Sequence, residues 1–135
     1  MNYNVIIVDD DIIFHLLAKR MITMSGLHPD PLEFNNGQDA LDYLLKNHRL
    51  SGKTIVLLDI NMPVLNGWEF LDAIGADEVA GTLQDDLDVY MVTSSCDRAD
   101  KDKATAYPMV KGFIEKPLTR EVFKRLRSEY AGRVA

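Results

Sequence analysis

Residues 5–11 read VIIVDDD, with four apolar residues set directly against three consecutive acids. Extended back to Tyr3, the run shows no polar/apolar alternation. A strand with one wet face would alternate, so Tyr3–Val8 is expected to be buried on both faces, as strands of a parallel sheet are. The acids pose a second question. Adjacent carboxylates repel, and the end of a buried strand hydrates them poorly, so they form either a solvated turn or a place where positive charge belongs.

Working outward, a short apolar run followed by a helical pattern recurs five times. Ile12, Ile13, Leu16, Leu17, Met21 and Met24 are spaced as one helix face, ending at Ser25-Gly26. Pro31–Phe34 is a short strand, Asn35-Asn36-Gly37 a turn, and Ala40, Leu41, Leu44 and Leu45 the stripe of a second helix. Thr54–Leu58 is the third strand. Asn66 and Glu69 are placed as N-cap and third residue of a helix that Phe70, Leu71 and Ile74 carry to Gly75. Ala76–Asp86 reads as the tail of that helix plus a loop, and Leu87–Val92 as the fourth strand. Asp97–Ala106 is a charged helix stopped by Pro108, and Lys111–Glu115 the fifth strand. The last helix is Arg120–Tyr130, with Val122, Phe123, Leu126 and Tyr130 inward. Alternating β and α units predict an α/β fold with helices on both faces of a parallel sheet. Five units suit the flavodoxin-like, doubly wound order 2-1-3-4-5, whose switch point lies between the first and third strands. Function is then expected just after Val8 and just after Leu58.

The 135 residues are the size of one domain, and 47% hydrophobic with 27% charged residues is an ordinary globular balance. A net charge of −6 without a Lys/Arg-dense segment argues against a nucleic-acid partner. Cys96 is the sole cysteine, so no internal disulfide can form, which fits a reducing compartment. The N-terminus lacks the basic region of a signal peptide, and no run approaches the roughly 20 apolar residues of a membrane span. The expectation is a cytoplasmic protein without membrane association.

The strand ends collect Asp9, Asp10, Asp59, Thr93 and Lys116. Singly, each has a plain reading: helix cap for Asp10 or Asp11, strand-end cap for Thr93, solvated cation for Lys116. Together they carry a chemistry. Hard carboxylate and carbonyl oxygens suit Mg²⁺, and a carboxylate can be a nucleophile that forms an aspartyl-phosphate. Phosphoryl transfer then needs mainly positioning and neutralisation of three equatorial oxygens.

With these motifs in order, the chain resembles the receiver domain of bacterial two-component response regulators. The resemblance rests on Val8-Asp9-Asp10, on the D-x-x-M-P-x-x-x-G segment from Asp59 to Gly67, on Thr93 and on Lys116-Pro117. It implies a single receiver domain over residues 1–135, similar to stand-alone chemotaxis regulators. It implies that Asp59 accepts the phosphoryl group in a Mg²⁺-dependent reaction from a sensor histidine kinase or histidine phosphotransfer protein. Asp10 and Asp59 would bind the metal directly, Asn61 through its backbone carbonyl, and Asp9 through water. Lys116 would pair with the acceptor and then with the phosphoryl group. Thr93 and Phe113 would form a switch remodelling the surface of the fourth helix, fifth strand and fifth helix for a downstream protein. The Lys116–Pro117 bond is often cis in the family. Such a protein catalyses its own modification and slow hydrolysis but is not otherwise an enzyme.

This sequence departs from the commonest pattern in places. Phe113 lacks a tyrosine hydroxyl, Ser94 follows Thr93, Glu115 precedes Lys116, and the span from Gly75 to Leu87 is long. The resemblance implies that Asn61 and Ser95 occupy positions that in the family tune dephosphorylation. The chain ends directly after the fifth helix, so output is expected to pass through another protein; oligomeric state is left open. His15, His28 and His48 show no metal spacing, and His15 is read as a surface residue; Trp68 is expected to pack partly on the sheet, and Cys96 to be passive. The rival reading is a Mg²⁺-dependent phosphatase of the haloacid-dehalogenase type. That reading needs a D-x-D, which Asp9–Asp11 supplies but Asp59–Asn61 does not. A phosphorylation-independent binding module is the third reading.

Overall fold

The computed structural model describes residues 3–46, 53–76, 86–94 and 97–131. Its elements are β1 (Tyr3–Val8), α1 (Ile12–Ser25), β2 (Leu32–Phe34), α2 (Gly37–Lys46), β3 (Lys53–Asp59), α3 (Gly67–Ala76), β4 (Leu87–Thr93), α4 (Arg98–Ala104), β5 (Val110–Glu115) and α5 (Arg120–Ala131). All strand pairs are parallel, in the order β2-β1-β3-β4-β5. The expected order and fold class are therefore present, with strand ends shifted by a residue or two. His48, Ser95, Cys96 and most of the predicted Ala76–Asp86 loop lie outside the described residues.

The lack of alternation in the strands has its cause in two cores. Ile6, Val8, Val56, Leu58, Val89 and Met91 point to one face, beneath Ala40, Leu41 and Leu44 of α2 and Trp68, Phe70, Leu71 and Ile74 of α3. Val5, Ile7, Ile55, Leu57, Tyr90 and Val92 point to the other, beneath α1 and α5. Period-two side chains on strands covered from both sides make every position apolar. On α5 the inward residues are the expected Phe123, Leu126 and Tyr130, with Val122 partly buried.

Helix α1 is rotated from its expected phase. Ile12, Ile13, Leu16, Leu17 and Met24 are exposed, while Phe14, His15, Ala18 and Ile22 are buried. Apolar residues occupy both sides of this helix, so periodicity alone did not select the face. Its start sets the phase: Asp11 is the N-cap, its carboxylate accepting the Ile13 N–H at 2.9 Å. Gly26 ends the helix in the left-handed region, at φ 79°. Helix α4 is also shorter than expected, since its last turn closes at Ala104, ahead of Pro108. For α3 the expected capping box is present: Glu69 N–H donates to Asn66 Oδ1 at 2.9 Å, and Asn66 N–H to Glu69 Oε1 at 3.0 Å.

Candidate functional site

Strands β1 and β3 run side by side in register from Tyr3↔Lys53 to Val8↔Leu58, so they deliver their following residues together. Asp9 and Asp10 leave β1 where Asp59 closes β3, and carboxylate oxygens of all three lie within 4.8 Å of one another. Asp9 and Asp59 are buried, and Asp10 faces solvent. Thr93, buried, closes β4, one residue beyond the Asp59↔Val92 pair. Lys116 follows β5, and its N–H donates to the Thr93 carbonyl at 2.9 Å, which fixes the two strand ends together. The Lys116–Pro117 bond is cis, as the resemblance implied.

The ammonium of Lys116 lies 3.1 Å from Asp9 Oδ2, so its ion-pair partner here is Asp9 rather than Asp59. It also sits 4.8 Å over the ring of Phe14, an aromatic floor that nothing in the sequence announced. Asp9 Oδ1 accepts the Asp11 N–H at 2.8 Å, and Asp59 Oδ1 accepts the Asn61 N–H at 3.2 Å. Even so, the Asp59 carboxyl is pushed up to about 6 from an ordinary 3.8. Burial contributes most, the Asp9 charge next, and Asp10 adds a little; Lys116 and the Asn61 N–H pull the other way without prevailing.

That imbalance is the test of whether a cation fits. The donor set is all oxygen, a match for Mg²⁺. The negative charge it concentrates exceeds what Lys116 offsets, so a divalent cation would relieve an existing repulsion. The residues present fit the ion. The phosphatase alternative fares worse: Asp11, the second acid of its D-x-D, is committed to capping α1, and Asp59, idle in that reading, is in the cluster.

Phe113 lies opposite Met91 on the edge strand β5, partly buried against the core beneath α2 and α3. Trp68 is buried in that core, its ring 5.6 Å from Tyr107 and under the Lys103 ammonium at 4.9 Å. In the loop after Asp59, Gly67 approaches so closely that a Cβ there would stand 2.8 Å from the Asp59 carbonyl oxygen. Val64 has φ 69°, a left-handed conformation that a β-branched residue adopts only under constraint. His15, expected on the surface, is buried, with Nε2 2.6 Å from the Asp9 carbonyl oxygen.

Residues 5–127 match the family model of the response regulator receiver domain. A chemotaxis protein CheY homolog of Campylobacter jejuni is 30% identical over 127 residues, covering 94% of this chain and 91% of that protein. Among solved structures, a two component response regulator from Cytophaga hutchinsonii superposes with a TM-score of 0.83 at 27% identity, covering 96% of this chain and 97% of that one. A response regulator receiver protein from Dyadobacter fermentans gives 0.75 at 30% identity, covering 92% and 97%.

Proposed function

Because the chain belongs to the response regulator receiver family, we propose that it is a phosphoacceptor in which Asp59 takes the phosphoryl group of a phosphohistidine. The donor would be a sensor histidine kinase or a histidine phosphotransfer protein. The observation that carries this reading is the meeting of Asp9, Asp10 and Asp59 within 4.8 Å beside an ammonium.

Asp10 and Asp59, the Asn61 carbonyl and, through water, Asp9 would hold Mg²⁺, whose charge would neutralise phosphoryl oxygens. In the transfer, the Asp59 oxygen that Asn61 does not engage forms a bond to phosphorus. The bond from phosphorus to the donor's imidazole nitrogen breaks, and that nitrogen keeps the electron pair. Asn61 N–H holds the other carboxylate oxygen, fixing the nucleophile's orientation. Lys116 moves from Asp9 to a phosphoryl oxygen, and the Thr93 hydroxyl meets another.

The new group adds about −1.5 to −2 charges. Thr93 drawn inward would vacate space near Phe113, whose ring would then bury further and remodel the α4, β5 and α5 surface for a downstream partner. A phenylalanine does this by ring packing alone. The test is intact mass measurement after incubation with acetyl phosphate, with and without Mg²⁺. One labile phosphoryl group is expected, dependent on Mg²⁺ and lost in Asp59→Asn. Label retained by Asp59→Asn would overturn the assignment.

A further inference from the structure

His15 stands on α1, and the sequence offers no motif for it. In the fold it is 5% exposed, and its Nε2 is 2.6 Å from the Asp9 carbonyl oxygen. A carbonyl only accepts, so Nε2 carries the hydrogen and donates it. Around Asp9 every polar atom is then held: its N–H donates to the Phe34 carbonyl at 3.2 Å, Oδ1 accepts the Asp11 N–H, and Oδ2 faces Lys116.

The carbonyl that His15 takes belongs to the peptide unit joining Asp9 to Asp10. Its hydrogen bond therefore fixes the plane from which the Asp10 side chain departs. Asp10 is exposed, and its carboxylate makes no hydrogen bond among the described residues, so the backbone alone aims it at Asp59. On the ring's other side Glu33 Oε1 of β2 lies 3.5 Å from Nδ1, too long for a hydrogen bond, and Lys19 Nζ lies 3.9 Å from the other Glu33 oxygen.

We infer that His15 is a positioning residue for the acceptor centre, setting the relative orientation of Asp9 and Asp10 through the peptide bond between them. The inference rests on the acceptor reading above, which makes these two acids the cation's seat. His15 touches no reacting atom; its effect is on how well the acidic pair converges. Outer partners of metal ligands typically change affinity by about 10- to 100-fold when removed.

The experiment is calorimetric titration of the protein with Mg²⁺ alone, which needs no phosphoryl transfer. His15→Phe keeps a ring of similar volume without the donor, and His15→Gln returns an N–H near the Nε2 position. His15→Phe should weaken Mg²⁺ binding about tenfold, and His15→Gln should stay within about threefold of the unmodified protein. A purely structural role would lower both variants' urea midpoints without this contrast in Mg²⁺ affinity. Should His15→Phe not fold, His15→Leu, smaller and equally without a donor, carries the test, with the same expected weakening of about tenfold. Unchanged affinity in a folded His15→Phe or His15→Leu overturns the inference, as does equal loss in a folded His15→Gln. Mg²⁺ binding without any phosphoryl label on Asp59 would instead count against the acceptor reading and leave this one standing.

Discussion

Asp59→Asn should make the protein more stable at neutral pH, because the wild-type fold buries a charge it does not fully compensate. The Asp59 carboxyl titrates near 6 in the fold against an ordinary 3.8. At about 1.4 kcal/mol per pH unit, that difference is worth at most about 3 kcal/mol. The folded state holds the proton more tightly, so Asp59 costs nothing below about pH 4. The cost develops as pH rises and is complete once pH passes about 6 to 7. Asparagine stays neutral throughout, keeps the size of the side chain, and offers its own oxygen to the Asn61 N–H; Lys116 retains Asp9. Urea unfolding of both proteins at about pH 4.5 and about pH 7.5 without divalent cations measures the gap. The variant's advantage should grow from about 1 kcal/mol to about 3 kcal/mol. Millimolar Mg²⁺ should shrink it by favouring the ionised wild type. A gap that does not change with pH, or a variant less stable at neutral pH, would refute burial and Asp9 as the source of the shift.

Three further outcomes follow from the packing. Val64 is 94% exposed in a left-handed conformation, so Val64→Gly should stabilise by about 0.5–1 kcal/mol, the relieved strain less glycine's entropy, as read from thermal unfolding. Gly67→Ala would drive a Cβ against the Asp59 carbonyl oxygen at 2.8 Å and the Ile60 Cα at 3.1 Å, backbone atoms that cannot turn aside. It should cost about 2–4 kcal/mol in urea unfolding, and a loss under about 1 kcal/mol would show the loop to be pliable. Leu16→Ser, at a 68% exposed position, should change stability by less than about 0.5 kcal/mol, whereas Ile22→Ala should cost about 2–5 kcal/mol; reversed values would mean α1 is seated on its other face.

Those last two residues mark where the sequence was legible and where it was not. Apolar strands without alternation announced two covered faces, and with them the strand order and the meeting of Asp9 and Asp10 with Asp59. Helix α1 carries apolar side chains all round, so its burial depended on the Asp11 cap, a local hydrogen bond with no hydrophobic signature. His15 was misread for the same reason, since a turn of helix placed beneath a strand end becomes interior. Phe14 under Lys116 joins residues from α1 and the end of β5, and no periodicity links them. Gly67 was legible as the end of the D-x-x-M-P-x-x-x-G segment, yet the reason it must be glycine is a contact with the backbone at Asp59.

The sheet's margins have a consequence of their own. An open sheet ends in two rows of unpaired peptide groups, which invite another chain to extend it. Here one margin is the three-residue β2, charged at Glu33, and the other is β5, whose ladder to β4 slips register between Val89 and Tyr90. Both are poor templates for a sixth strand. A protein built this way resists zipping onto its own copies at high concentration, and whatever it recruits must recognise side chains rather than lengthen its ladder.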